Sequence, residues 1–345
     1  MMFQRGARRA VAGLMIAAGL AGVAAQPARA QAPIDPETLT AADAGRMIKA
    51  GKITSVELTQ LYIDRISALN KSGPGLNAVT QFNKDALVDA AKIDARLKAG
   101  ENIGPLAGVP ILLKDIVDAK GEYTSAGNYS LRNSFPAEDS GIVAHMRAKG
   151  IIILGKLGLS EFANYFGNQP SGFSNLTGQV INAVDADQNP SGSSSGSGAA
   201  GAAALAPMTI GTETSGSIIS PSTTQGIVGI RPTIGLVPPY GIAPIIASQD
   251  TAGPMVRNVE DAADLLQALA DPGDPKSAAE YETVFGPGWR GTVVPNAPFG
   301  TDNVPDYASA LDTGFVAGKR IGYRVAATGN AEASGGGTCT DTSSS

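Results

Sequence analysis

The stretch Ser140-Gly141-Ile142-Val143-Ala144-His145-Met146-Arg147-Ala148-Lys149-Gly150-Ile151-Ile152-Ile153-Leu154 contains both halves of an α/β repeat. Ser140 to Lys149 has a helical pattern that stops at Gly150, and the unbroken Ile151-Ile152-Ile153-Leu154 run reads as a strand buried on both faces. Working outward, the same alternation recurs. Thr54-Ser55-Val56-Glu57 has the capping-box form, and Val56, Leu58, Leu61, Ile63, Ile66 and Leu69 give a broad apolar face, so a helix is expected from about 55 to 69. Leu76 to Phe82 reads as a strand, Ala86 to Ala99 as a helix stopped by Gly100, and Val109 to Leu113 as a short apolar strand between turn signals. Asn258 to Ala270 adds a helix capped at Asn258 and stopped by Asp271-Pro272-Gly273. Strands alternating with helices predict an α/β fold with a mixed central β-sheet covered by helices.

Residues 190 to 240 are crowded with Gly, Ser, Thr and Ala, yet Leu205, Ile210, Ile218, Ile227, Val228 and Ile230 interrupt them. A flexible linker has no use for such side chains, so ordered, tightly turning backbone is expected, with an alanine-rich helix over Ala199 to Ala206. Beyond about 275 the pattern becomes irregular, Pro and Gly recur through 286 to 304, and only Arg320 to Val325 reads as a further strand start. The stretch from Ala326 to Ser345 is small and polar and reads as a disordered tail.

The 345 residues include 26 Lys plus Arg, 31 Asp plus Glu, one His and one Cys, for a formal charge of −5. An acidic balance provides no general attraction to phosphate backbones, so no nucleic-acid partner is expected. His145 and Cys339 alone cannot build a zinc site or an intrachain disulfide. A carboxylate-only magnesium or calcium site stays open, although no EF-hand spacing occurs. Neither glycine-rich passage has the Walker form, and no cofactor is expected.

Residues 1 to 30 lack acidic side chains, start with Arg5, Arg8 and Arg9, continue through an apolar run from Ala10 to Ala25 and end in Ala28-Arg29-Ala30. This is the layout of a signal peptide cleaved after Ala30, and the paired arginines suggest the twin-arginine route. Loss of this segment and its four arginines takes the formal charge from −5 to −9. The apolar core is short for a membrane span and no later stretch reaches 18 clean apolar residues, so a periplasmic or secreted protein without stable membrane insertion is expected. Oligomeric state has no signal in the sequence.

A hydroxyl acts as a nucleophile only when a base accepts its proton. Gly192-Ser193-Ser194-Ser195-Gly196 matches the nucleophile-elbow pattern formally, with Ser194 at its centre, but the elbow's histidine follows it in chain order and His145 precedes it. Lys114 closes the apolar strand and precedes Asp115. Desolvation there disfavours an ammonium and makes a neutral amine base accessible, although most lysines at strand ends are simply solvated charges. Gly211-Thr212-Glu213-Thr214-Ser215-Gly216-Ser217 permits either a structural turn or one whose backbone N–H groups hold an oxyanion.

These passages together resemble the amidase signature family. The matching stretches are Gly108 to Asp115, Thr124 to Gly127, Gly155-Lys156, Ser160 to Ala163, Asn189 to Ser197, Gly211 to Ile218, Gly229 to Thr233 and Ser248 to Pro254. The resemblance implies Ser217 as nucleophile, Ser193 as a relay reached through a cis peptide bond after Gly192, and Lys114 as base. It also implies an oxyanion hole from the backbone N–H groups of Thr214, Ser215, Gly216 and Ser217. The implied reaction is hydrolysis of a small-molecule or peptide amide through an acyl-enzyme.

Ser191 and Ser215 stand where family members often have a first glycine, and Ile219 stands where many have arginine. Those choices resemble the bacterial peptide amidase branch, with broad action on amides preferred to strict peptide specificity. The family's domain is longer, so residues 31 to 325 are expected to form an amidase signature domain shortened at its C terminus. A non-catalytic or partner-completed amide-binding protein is the alternative. A glutamine-dependent amidotransferase component, working on transfer RNA, fits poorly with export.

Overall fold

The computed structural model describes residues 34–167, 169–270, 274–287 and 306–320. In chain order these form α1 (Ala41–Lys49), α2 (Ser55–Leu69), β1 (Val79–Phe82), α3 (Ala86–Lys98), β2 (Pro110–Lys114), α4 (Gly141–Ala148), β3 (Ile152–Leu157), β4 (Phe173–Ser174) and β5 (Gly178–Gln179). They continue with α5 (Ser195–Ala202), β6 (Met208–Glu213), α6 (Ile219–Gln225), β7 (Val228–Gly229), β8 (Thr251–Val256), α7 (Val259–Leu269) and α8 (Pro275–Phe285). Six strands make one sheet in the order β1-β3-β2-β6-β8-β7. β2 runs parallel to both β3 and β6, whereas β1, β8 and β7 join antiparallel. The expected mixed sheet covered by helices is the fold observed.

The central strands are apolar runs because both faces are covered. Ile111, Leu112 and Leu113 of β2 and Ile152, Ile153 and Leu154 of β3 are all buried. Helix α2 starts with the expected box: Thr54 Oγ1 accepts from Glu57 N at 3.1 Å and Thr54 N donates to Glu57 Oε2 at 2.8 Å. The strand expected from Leu76 begins only at Val79, because Asn77 takes a left-handed φ of 50° and breaks the extended run.

Four elements depart from expectation. The alanine-rich helix begins at Ser195, within the serine cluster, and ends at Ala202, since Ala204 takes a φ of 53° and cannot continue it. β6 carries Gly211 and Glu213, and β8 carries Ala252, Gly253 and Pro254, residues with little strand preference, and their pairing is set by tertiary contacts. Residues 275 to 285 form α8: Asp274 caps it by accepting from Ser277 N at 2.7 Å, and Pro275 occupies the first turn, where a missing N–H costs nothing. Export signal, Cys339, polar tail and the strand start beyond Arg320 lie outside the described residues.

Small residues let α5 lie directly on the sheet. Gly196 N donates to Gly158 O at 2.9 Å, and a Cβ added at Gly196 would sit 2.4 Å from that same oxygen. Ser197 Oγ donates to Ile210 O at 2.8 Å, which fastens the helix to β6. Gly196→Ala is expected to lower the unfolding free energy by about 1–3 kcal/mol, the usual cost of overpacking a site that cannot give way. Urea denaturation measures it, and an unchanged midpoint would refute the close approach.

Candidate active site

Lys114 is the last residue of β2, flanked in register by Leu157 of β3, with β6 on the other side. Its side chain is fully buried. Nζ lies 2.8 Å from Ser193 Oγ, 3.0 Å from Thr212 Oγ1 and 3.3 Å from Thr212 O. An ammonium would donate to all three. A neutral amine has two N–H groups and one lone pair, so it donates twice to Thr212 and accepts from the Ser193 hydroxyl. Burial pushes the amine down to about 7, against the opposing pull of the Asp250 and Glu213 carboxylates.

Ser193 follows a cis peptide bond from Gly192 and precedes α5. Its carbonyl accepts from Ser160 N at 3.1 Å. Ser194 rivets this segment to the second glycine-rich passage, with N donating to Ser217 O at 3.2 Å and Oγ donating to Thr212 O at 3.1 Å. Ser193 and the half-buried Ser217 thus line one cleft, together with Thr212, Glu213, Thr214, Asp250 and Glu280. The hydrogen-bonded link runs from Lys114 to Ser193. Ser217 shares the cleft, and no hydrogen bond joins its hydroxyl to Ser193.

The turn from Thr214 to Ser217 is shaped by Gly216 at φ 82°, a left-handed conformation that side chains resist. None of its four backbone N–H groups has a backbone or side-chain acceptor among the described residues. The next two do: Ile218 N and Ile219 N donate to Glu213 Oε2 at 2.7 and 2.9 Å, which closes the start of α6. Glu213 is held in turn by Arg231, whose Nε lies 3.4 Å from Oε1 and whose Nη2 donates to Gln249 O at 2.9 Å. Asp250 performs a similar task on the opposite wall, accepting from Ile245 N at 2.7 Å, Ile246 N at 2.9 Å and the Thr214 hydroxyl.

Thr212, Glu213, Arg231 and Asp250 therefore support the site, and nothing in the sequence alone assigns them a role. Each lies in a stretch that resembles the family, but its part depends on which backbone groups it faces. Lys156, also fully buried, donates to Val117 O at 2.6 Å and Tyr123 O at 3.1 Å, which makes it a strut away from the cleft. His145 lies on α4 and does not line the cleft. No group of three His, Cys, Asp or Glu among the described residues could hold a metal, and none of the described helices is long and apolar enough to cross a membrane.

The profile of the Amidase family matches residues 57–286, and the chain belongs to that family. It is 46% identical to the peptide amidase of Stenotrophomonas maltophilia, whose structure superposes with a TM-score of 0.69 over 71% of this chain and 51% of that one. An amidase family protein from Bacillus anthracis matches at 37% identity and a TM-score of 0.68, covering 72% of this chain and 51% of that one. Among sequence relatives, a putative amidase from Arthroderma benhamiae is 39% identical over 79% of this chain and 43% of its own length. A glutamyl-tRNA(Gln) amidotransferase subunit of Acidothermus cellulolyticus is 40% identical over 82% of this chain and 51% of its own length. The chain thus spans about half the length of these relatives.

The buried amine makes a pH-dependent contribution to stability. Lys114 in the unfolded chain titrates near its ordinary value of 10.5 and in the folded chain near 7, so between these the unfolded state holds more protons and stability rises with pH. Lys114→Met is expected to remove that slope. Denaturation midpoints of both proteins at pH 7.5, 8.5 and 9.5 measure it, and parallel curves would contradict a depressed amine.

Proposed function

We propose that this protein is a serine amidohydrolase that cleaves carboxylic amides, including peptide C-terminal amides, with Ser217 as nucleophile, Ser193 as relay and Lys114 as base. The observation that carries this reading is the Lys114 amine, buried and 2.8 Å from a hydroxyl that opens onto the cleft lined by Ser217. The similarity to the Stenotrophomonas maltophilia peptide amidase supports the substrate class. The export-type layout of residues 1 to 30 supports action in the periplasm or outside the cell, and hydrolysis by water over transfer to a cytoplasmic acceptor.

In the proposed mechanism Ser217 Oγ attacks the amide carbonyl. Its proton passes to Ser193 Oγ as the Ser193 proton passes to the Lys114 lone pair, which leaves an ammonium inside the protein and an oxyanion on the substrate. The open N–H groups of Thr214 to Ser217 receive the oxyanion, and each such donor typically supplies about 2.7–4 kcal/mol of transition-state stabilisation. Lys114 then returns a proton through Ser193 to the departing nitrogen, the C–N bond breaks, and ammonia or an amine leaves. Water, deprotonated through the same chain, attacks the acyl-Ser217 ester and releases the carboxylic acid. The net change is one amide and one water to one acid and one amine.

Ser217→Ala is expected to lower kcat/KM for a peptide amide by about 10³-fold or more, and Lys114→Ala by about 10²–10⁴-fold, with ammonia release as the readout. In the wild type, kcat/KM should rise with pH through about 7 as Lys114 loses its proton. Equal turnover by wild type and Ser217→Ala would reject Ser217 as the nucleophile, and absence of turnover with intact amide binding would reject hydrolysis. Ammonia release from glutamine alone would favour the amidotransferase reading.

A further inference from the structure

The cleft that holds Ser193 and Ser217 has mostly apolar walls, built from residues such as Ile116, Ile242, Pro244 and Ile245. Of its three carboxylates, two are already engaged. Glu213 accepts from Ile218 N and Ile219 N and faces Arg231, while Asp250 accepts from Ile245 N, Ile246 N and the Thr214 hydroxyl. Glu280 differs: it lines the same cleft, is half-buried, and has no hydrogen-bond or ion-pair partner among the described residues. Among the described residues no Lys, Arg or His lines the cleft to neutralise it, and the Lys114 amine lies behind Ser193.

Glu280 is held in place by α8. Tyr281, buried beside it, accepts from Gly235 N at 3.2 Å, and Ser277, one turn earlier, accepts from Tyr240 N at 3.3 Å. Both contacts fix the helix to the 235–240 segment that leads into the cleft wall. Burial and the neighbouring Asp274 raise the Glu280 carboxyl above its ordinary value, as expected for a group short of compensation. A ligand that brings a cation restores that compensation, whereas a ligand that brings a second anion adds repulsion.

We infer that Glu280 makes this cleft selective for amides that carry a cationic group on an apolar stem, a chemistry of the lysine or arginine side-chain type. The apolar walls cover the stem and the carboxylate takes the charge. This inference rests on the reading of the cleft as the place where Ser217 meets an amide. It goes further by assigning the substrate class and the residue that selects it.

The test compares N-acetyl-lysinamide with N-acetyl-norleucinamide, which differ only by the terminal ammonium. Wild-type kcat/KM is expected to favour the lysine amide by about five- to tenfold, the scale of one partly buried ion pair. Glu280→Gln should bring the ratio below about twofold, and an unchanged urea midpoint for the variant controls for folding. A second readout needs no turnover: the same preference should appear in Kd measured calorimetrically with Ser217→Ala protein and vanish in Ser217→Ala/Glu280→Gln. A cation preference in binding without turnover in the wild type would reject the amidase reading and leave the assignment of Glu280 standing. Equal affinity for the two amides, no measurable binding of the lysine amide, or a preference that survives Glu280→Gln would overturn the inference.

Discussion

An amine enclosed in protein at the end of a strand is the constraint around which the rest of this site is arranged. A lysine cut off from water must be paired, hydrogen-bonded or discharged. Lys114 takes the last two routes, with Thr212 and Ser193 as its hydrogen-bonding partners and burial holding its proton affinity near 7. Meeting that need dictates several features of the fold at once. β6 must lie beside β2 so that Thr212 reaches the amine, and the segment leading into α5 must bring the Ser193 hydroxyl over the strand end. The small residues of α5 permit this, because the helix backbone touches the backbone after β3.

Carboxylates organise the rest of the cleft through backbone N–H groups. Glu213 consumes the donors at the start of α6, and Asp250 consumes those of the facing wall, so the turn from Thr214 to Ser217 keeps its own donors open. The same two negative charges raise the proton affinity of Lys114 and offset part of the effect of its burial. Their positions thus set the shape of the turn and the protonation of the amine together. An isolated change at either carboxylate would disturb both.

Much of the framework is legible from periodicity. The helix at 55–69, the apolar strands ending at Lys114 and beginning near Ile152, and the capped helix after Asn258 each announce themselves by pattern and punctuation. β6 and β8 do not, because Gly211, Ala252, Gly253 and Pro254 interrupt their pattern and pair there through the register imposed by neighbours. α8 is hidden because it lies in the irregular stretch after the Asp271-Pro272-Gly273 stop, and the cap from Asp274 shows only in the structure. Lys114, Ser193 and Ser217 stand out through resemblance to a family, and the Amidase family match covers all three positions. Thr212, Glu213, Arg231 and Asp250 stand out through nothing, since a threonine or a carboxylate in a glycine-rich run has many possible uses.

By itself the sequence determined the class of fold, because the placement of apolar residues decides which segments can be buried and in what form. It also determined the chemical types available, a lone histidine that precedes the serines and a lysine closing an apolar strand. Only the tertiary structure decided which hydroxyl meets that lysine, which N–H groups stay open, and that Glu280 of α8 faces the same cleft. Those outcomes depend on distances of about 3 Å between residues as far apart in sequence as Lys114 and Ser193, which only the packed backbone brings together.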